Sequence, residues 1–150
     1  MKNNGSIPSL DVFSKAKRSE VMSRIRSGGN RDTELRMMSL FRAYGICGWR
    51  RRQRIFGKPD FVFRREKIAV FVDGCFWHGC PLPKHSPLPK SRAQWWAAKL
   101  LRNKKRDRAV TRRLRCSGWQ VIRVWECSLT SKNFTRTARI LKRRLSSKLK

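Results

Sequence analysis

Acidic side chains are scarce in this sequence. Only 9 of its 150 residues are Asp or Glu, against 38 Lys and Arg, so the formal net charge is +29 at pH 7. A chain with this imbalance repels itself unless it binds a polyanion. Nucleic acid is the first candidate, because each phosphate that a Lys or Arg neutralises releases counterions. An anionic membrane surface is the weaker candidate.

Long apolar segments are also missing. The longest apolar run, at 68–72, is far too short to span a bilayer, and the first ten residues lack the apolar stretch of a signal peptide. These absences predict a cytoplasmic protein without a membrane partner. Its five cysteines then indicate metal ligands or free thiols sooner than disulfides.

The length suits one domain with a core. We expect a flexible tail at 1–12 and a single domain at 13–150 with a basic C-terminal helix.

Hydrophobic spacing predicts an α/β chain with the element order α-α-β-β-β-α-β-α. The predicted helices cover about 13–26, a segment from a cap at Asp32 or Thr33 to Gly45, about 92–115 with Ser91 as its cap, and about 131–146; the predicted strands cover 49–55, 60–63, 67–72 and 119–125. We expect a mixed central sheet flanked by helices. Two helical stripes should face the core: Met37, Leu40, Phe41 and Tyr44 in one helix, and Phe134, Ala138, Leu141 and Leu145 in another.

Two of the few carboxylates flank neighbouring strands. Asp60 begins one predicted strand, and Asp73 ends the next. If the strands form a hairpin, the start of one faces the end of the other, which brings both carboxylates to the carbonyl of Val72. Mg²⁺ binds oxygen ligands and keeps several waters, so this set predicts an open metal site that stabilises a phosphodiester under attack. The alternative is that both are turn and capping residues, where Asp is common.

Histidine is nearly absent, with two in the chain. His78 follows Asp73 closely enough to reach the same phosphate, and an imidazole can accept a proton from water near neutral pH. The sequence therefore predicts a general base at this position. A zinc ligand or a loop histidine is the alternative.

Two cysteines lie beside His78 in the sequence. Cys75 and Cys80 are followed by His85, and Cys127 ends a neighbouring predicted strand. Three thiolates and one imidazole form a closed tetrahedral zinc site, so these residues predict a structural zinc. The alternative is that the cysteines are small buried side chains without a metal.

Aromatic side chains are concentrated near the same segment. Phe76 and Trp77 lie between the two cysteines, and apolar wedges beside a cationic surface can enter and unstack DNA steps. The alternative is that they pack in the core. For Trp95 and Trp119 the core is the prediction.

Four segments resemble the very-short-patch repair endonucleases (Vsr type), in the same order as in that family. They are Gly-Lys-Pro-Asp-Phe-Val-Phe at 57–63, Val-Phe-Val-Asp-Gly-Cys-Phe-Trp-His-Gly-Cys at 70–80, Asn-x₃-Asp at 103–107 and Gly-Trp-x₂-Ile-x-Val-Trp-Glu-Cys at 118–127. The likeness covers about 18–128. It implies a restriction-endonuclease-like core, a structural zinc, and a Mg²⁺-dependent nick in one strand of double-stranded DNA at T:G mismatches, which arise when 5-methylcytosine deaminates. It also implies a monomer.

The resemblance implies a role for each matching residue. Asp60 is the metal carboxylate and His78 the base for the attacking water, Glu34 is an acidic helix residue near the site, Phe76, Trp77 and Trp96 intercalate, and Cys75, Cys80 and Cys127 bind zinc. The chain departs from the family at two points. Val72-Asp73 stands where a well-known member has Thr-His. The chain therefore lacks a possible second acid or base at position 73, and Asp73 is expected to bind metal instead. The histidine-rich run after His78 is shortened, so His85 is expected to supply the fourth zinc ligand.

Two other functions fit part of the pattern. A zinc-stabilised nucleic-acid-binding protein without catalysis would share the charge and the cysteines, but it would not need Asp60, Asp73 and His78. A nuclease with the same core and another DNA specificity would share all of these residues.

Overall fold

The structure, a computed structural model, describes residues 31–82, 88–90 and 92–146. A π-helical turn, Arg31–Leu35, leads into α1 (Arg36–Ala43). Then come β1 (Trp49–Arg50), β2 (Phe61–Phe63), β3 (Ile68–Asp73), α2 (Cys75–His78), α3 (Ala93–Cys116), β4 (Gln120–Trp125), a 3₁₀ turn (Glu126–Leu129) and α4 (Ser131–Ser146). The predicted helix at 13–26, the tail at 1–12 and the expected cap Ser91 lie outside the described residues.

The four strands form one mixed sheet in the order β1-β2-β3-β4. β1 pairs with β2 and β2 with β3 in antiparallel fashion, whereas β3 and β4 are parallel. Parallel neighbours need a long crossover, which α3 supplies. The carboxyl ends of β3 and β4 therefore meet at the same edge of the sheet, where Asp73 is paired with Trp125. This confirms the predicted mixed sheet and places the ends of two buried strands together.

β3 is buried along its whole length because helices cover both faces of the sheet. Ile68, Val70 and Val72 face α1 and α4, and Ala69 and Phe71 face α3. Side chains alternate along a strand, so Asp73 continues the row on the α3 face. The predicted helical stripes are confirmed: the α1 stripe and the α4 stripe both pack against the first of these faces, with Tyr44 and Phe134 at its margin.

Three local predictions were wrong. The strand expected at 49–55 stops at Arg50, and Arg52 has a φ of +52°, which a continuing strand cannot contain. Trp95, expected in the core, is 49% exposed, and it belongs to neither of the buried clusters on the two faces of the sheet. Residues 75–78, which lie outside every predicted helix and strand, form the single turn α2, which ends at Gly79 with a φ of +64°. None of the helices in the described part of the chain is both long and apolar enough to cross a membrane.

Candidate active site

Asp60 lies where β2 begins, directly beside the end of β3. The antiparallel register pairs Phe61 with Val70, so the hairpin brings Asp60 level with Phe71 and next to Val72. The backbone N–H of Val72 donates to Oδ2 of Asp60 at 2.7 Å. Burial raises the pKa of Asp60 to about 6, and although the hydrogen bond from Val72 opposes this rise, the charges of Glu34 and Asp73 add to it. The carboxylate is therefore buried close to two other acidic side chains.

Glu34 supplies part of that negative charge from the π-helical turn before α1. Its carboxylate accepts a hydrogen bond from the guanidinium of Arg51, in an ion pair shielded from solvent. Glu34 and Asp60 line one cavity of about 750 Å³, whose other walls include Arg52, Arg54 and Lys58. Two carboxylates thus face a space bordered by cations, which suits a phosphate backbone approaching a bound metal ion.

His78 is oriented by an acid that comes from α3. Nδ1 of His78 lies 2.6 Å from Oδ2 of Asp107. Because an ionised carboxylate can only accept, the contact assigns the proton to Nδ1 and leaves Nε2 with a free lone pair. The neighbouring Asn103 donates to the carbonyl of Trp77 at 2.8 Å. Asn103 and Asp107 are four residues apart, so they share one helix face and hold the α2 turn together.

Asp73 is engaged by a partner that sequence reasoning did not single out. Arg123, on β4, donates to both carboxylate oxygens of Asp73, from Nε at 2.6 Å and from Nη2 at 2.7 Å. The same Nη2 lies 3.3 Å from Oδ1 of Asp107. Although burial opposes the charge of Arg123, Asp73 and Asp107 raise its pKa above the ordinary value. Nδ1 of His78 is 3.6 Å from Oδ1 of Asp73, so these four side chains form one charged network.

The structure brings the predicted catalytic residues to one cleft. Asp60, Asp73 and His78 line a cavity of about 630 Å³ together with Asp107 and Arg123. Sequence reasoning assigned no role to Asp107 or Arg123. The signals for them were present: the Asn-x₃-Asp spacing marked Asp107, and a single cation inside the apolar strand β4 marked Arg123.

A second cavity, of about 670 Å³, opens beside the same network. One face of α3 lines it with four exposed cations: Lys104, Arg108, Arg112 and Arg115. Their spacing of three or four residues puts them on one side of the helix. Within the described ranges, none of the four forms an ion pair with an acidic side chain. This basic helix face therefore borders the candidate catalytic residues with its charge uncompensated.

Three of the predicted zinc ligands meet in the fold. The sulfur atoms of Cys75, Cys80 and Cys127 all lie within 4.8 Å of one another, and the cluster joins the end of β3 to the turn after β4. Burial raises the pKa of Cys75 to about 12, and the neighbouring thiols add to the rise. Three thiolates are therefore unfavourable without a cation, and a bound zinc would favour them. The expected fourth ligand, His85, lies outside the described residues.

The predicted wedge residues form one aromatic cluster. Ring centroids of Phe76 lie 5.2 Å from those of Trp77 and Trp96, and the two indole rings are 5.9 Å apart. All three side chains are half-buried. Trp95 extends the cluster outward, with its ring 4.8 Å from that of Trp96. The aromatic surface thus combines contacts inside the protein with area that remains accessible.

Comparisons with known proteins find a matching family model and several relatives of this chain. The family model for DNA mismatch endonuclease Vsr matches residues 10–83. A type II nicking enzyme of Neisseria meningitidis serogroup C is 39% identical over 116 residues, which cover 77% of this chain and 78% of that protein. DNA mismatch endonuclease Vsr of Escherichia coli K12 is 39% identical over 123 residues, or 79% and 75% of the two chains. A type II nicking enzyme of Lentzea aerocolonigenes is 52% identical over 69 residues, which cover 46% of this chain and 40% of that protein.

Proposed function

Because this chain belongs to the Vsr family of DNA endonucleases and is a DNA-cleaving hydrolase, we propose that it nicks one strand of double-stranded DNA at T:G mismatches in a Mg²⁺-dependent reaction. The observation that carries the proposal is the meeting of Asp60, His78 and Asp107 in one cavity. A non-catalytic binding protein would have no use for an oriented imidazole opposite a buried carboxylate. We infer that the sheet and its helices form a restriction-endonuclease-like core at work in the bacterial cytoplasm.

His78 is the proposed general base. With Nδ1–H donating to Asp107, Nε2 is free to take a proton from the attacking water. The Asp107 carboxylate then stabilises the imidazolium that forms, and it keeps the ring from rotating. Its own distance to the imidazole, 2.6 Å, is typical of a strong charge-assisted hydrogen bond.

Asp60 is the proposed Mg²⁺ carboxylate, with the carbonyl of Val72 as a second oxygen ligand. The raised pKa of Asp60 supports the assignment, because a buried carboxylate with acidic neighbours is stabilised in its charged form by a divalent cation. When bound, Mg²⁺ stabilises the charge on the phosphodiester and on its leaving oxygen. Glu34 keeps the surroundings negative and, through Arg51, positions a cation beside the cavity.

The basic face of α3 is the proposed track for the phosphate backbone. Its four cations lack acidic partners in the described part of the chain and border the cavity that contains His78. Contacts to phosphates supply affinity that is independent of sequence and sensitive to salt. They therefore hold the duplex over the site without choosing the mismatch.

Selection of the mismatch is assigned to Phe76, Trp77 and Trp96. A T:G wobble pair stacks less well than T:A, so opening the neighbouring step costs less at the mismatch. Half-exposed aromatic rings fixed on α2 and α3 can enter such a step as wedges. Cys75 begins the α2 turn and Cys80 follows it, with Cys127 beside them. A zinc ion bound by these three residues and His85 would hold the aromatic residues of that turn rigid.

The function is tested by incubating purified protein with Mg²⁺ and either a T:G duplex or its T:A counterpart. We expect one nick, in the T strand of the T:G duplex, and loss of the nick without loss of binding for Asp60→Asn. Tight binding with no cleavage by any divalent ion would support the non-catalytic alternative. Because two relatives carry the name type II nicking enzyme, the duplexes should also vary the bases that flank the mismatch. Nicking of both duplexes at one sequence would assign sequence rather than mismatch specificity.

A further inference from the structure

Acceptors inside the protein surround the guanidinium of Arg123. A guanidinium has five N–H groups. Two donate to Asp73, at 2.6 and 2.7 Å. The two of Nη1 lie 3.5 Å from the backbone carbonyl of Asp107 and from the hydroxyl of Thr111. Nη2 also lies 3.3 Å from Oδ1 of Asp107, in an ion pair. The ring of Phe71 covers one face of the guanidinium, with its centroid 4.8 Å away. The strong contacts of Arg123 are thus made inside the protein, although the residue lines the catalytic cavity.

The position of Arg123 follows from the sheet register. Arg123 pairs with Phe71 across the parallel strands, so its side chain lies on the face covered by α3. Asp73, two residues after Phe71, lies on the same face. From there the guanidinium spans the end of β3 and the middle of α3. The carboxylate that it reaches on α3, Asp107, is the one whose other oxygen holds His78. Arg123 is the link between the sheet edge and the imidazole.

Asp73 has the contacts of an anchor. The residue is 3% exposed, and both of its oxygens lie within 2.7 Å of the same cation. A Mg²⁺ ion binding Asp73 would have to approach the positive guanidinium and compete for the same lone pairs. Asp60 differs, because its described hydrogen bond is a single neutral backbone N–H on Oδ2.

We propose that Arg123 is a positioning residue that orients Asp107, and through it His78, and that Asp73 anchors Arg123 rather than binding the catalytic metal. The proposal rests on the assigned nicking function for its kinetic test, but the geometry of His78 can be tested without DNA. It revises the sequence-based expectation that Asp73 is a metal ligand. It also ties two residues of this chain together: the carboxylate at 73 needs the cation at 123.

The two roles of Asp73 predict opposite rankings of two variants. If Asp73 anchors Arg123, Asp73→Asn keeps one acceptor for the guanidinium, so it lowers kcat less than Arg123→Gln does and leaves the Mg²⁺ concentration needed for half-maximal cleavage unchanged. Arg123→Gln then lowers kcat by roughly 10- to 100-fold, a loss of the size found when partners that orient metal ligands are replaced. If Asp73 binds the metal, Asp73→Asn is the damaging change and raises the Mg²⁺ concentration needed for half-maximal cleavage. Arg123→Gln would then leave kcat near the wild-type value.

Three further variants complete the kinetic test. Arg65→Gln removes one exposed cation from the turn before β3 and measures the effect of charge loss on DNA affinity alone. Arg123→Lys keeps the charge but not the planar five-donor fork, so we expect it to fall with Arg123→Gln in kcat while its KM stays at that of wild type. Asp73→Asn with Arg123→Gln removes both charges and leaves no orphaned carboxylate. It keeps the test valid if Arg123→Gln does not fold, and we expect its kcat to match that of Arg123→Lys.

The second readout is the imidazole of His78 itself. The chain has only two histidines, so ¹⁵N labelling of histidine gives two ring signals, and His78→Gln identifies the one at the site. In wild type we expect Nδ1 protonated and Nε2 unprotonated, and in Arg123→Lys and in the double variant we expect a changed Nδ1 signal. Wild-type kcat and unchanged ring signals in both variants would overturn the positioning role. An absent nick in wild type, with the ring signals responding as expected, would overturn the proposed function but not this one.

Discussion

Replacing Asp107 by Asn tests the most specific consequence of the site geometry. The amide has nearly the size of the carboxylate, so packing on α3 is kept while the charge is lost. Asn can present its NH₂ group to Nδ1, and this stabilises the tautomer whose proton is on Nε2. His78 then has no lone pair directed at the water. The change also removes the carboxylate that stabilises the imidazolium after proton transfer.

The expected loss in kcat follows from the role of a general base. Such a base contributes roughly 10²- to 10⁴-fold, which at 1.36 kcal/mol per tenfold is about 3 to 5 kcal/mol of transition-state stabilisation. Because Asp107 contacts no DNA in this mechanism, affinity for the T:G duplex should not fall. Removing a negative charge beside the basic α3 face should, if anything, strengthen binding.

The assay is single-turnover nicking of a T:G duplex at saturating Mg²⁺, with binding measured separately in Ca²⁺. Glu66→Gln is the matched control, because it also exchanges a carboxylate for an amide but lies in the turn before β3, away from the cavity. A wild-type nicking rate in folded Asp107→Asn would refute the orientation of His78 by Asp107. An equal loss in Glu66→Gln would trace the effect to net charge instead.

Three other predictions follow from the site. Since burial raises the pKa of Asp60 to about 6, protons compete with metal below that pH, so the Mg²⁺ concentration for half-maximal nicking should rise as pH falls through 6. Without metal, the folded state binds this proton more tightly than the unfolded state. The free energy of unfolding should therefore fall as the pH rises from about 4 to about 6, and Asp60→Asn should abolish this dependence. Cys127→Ser should lose roughly one zinc per chain by metal analysis, whereas exposed Cys116→Ser should keep it; full zinc in both would argue against the cluster as a zinc site. Phe76→Ala with Trp77→Ala should lower T:G affinity much more than T:A affinity and leave the salt dependence of binding unchanged, because no cation is lost; an unchanged affinity ratio in the folded variant would return these rings to a packing role.

Local patterns were sufficient for most of the secondary structure. The α4 stripe and the α3 crossover follow from apolar spacing that only a helix can present to one surface. β3 and β4 are short apolar runs bounded by turns, and both were predicted within a residue or two. The failures lie at exposed ends. The strand after Trp49 stops before Arg52, which has a positive φ, and Trp95 is exposed. At such exposed positions packing is too sparse for residue type to decide the structure.

The sequence by itself determined the charge, the order of elements and the segment that contains Asp73, His78 and the first two cysteines, because these depend on composition and on neighbours along the chain. Only the tertiary structure decided which charges meet. The parallel register of β3 with β4 and the docking of α3 over them put Arg123 between Asp73 and Asp107 and put Asp107 on His78. The three residues that form the charged network around His78 come from β3, α3 and β4. A buried charge is stable only beside its partner, and no local pattern states which partner the fold will bring.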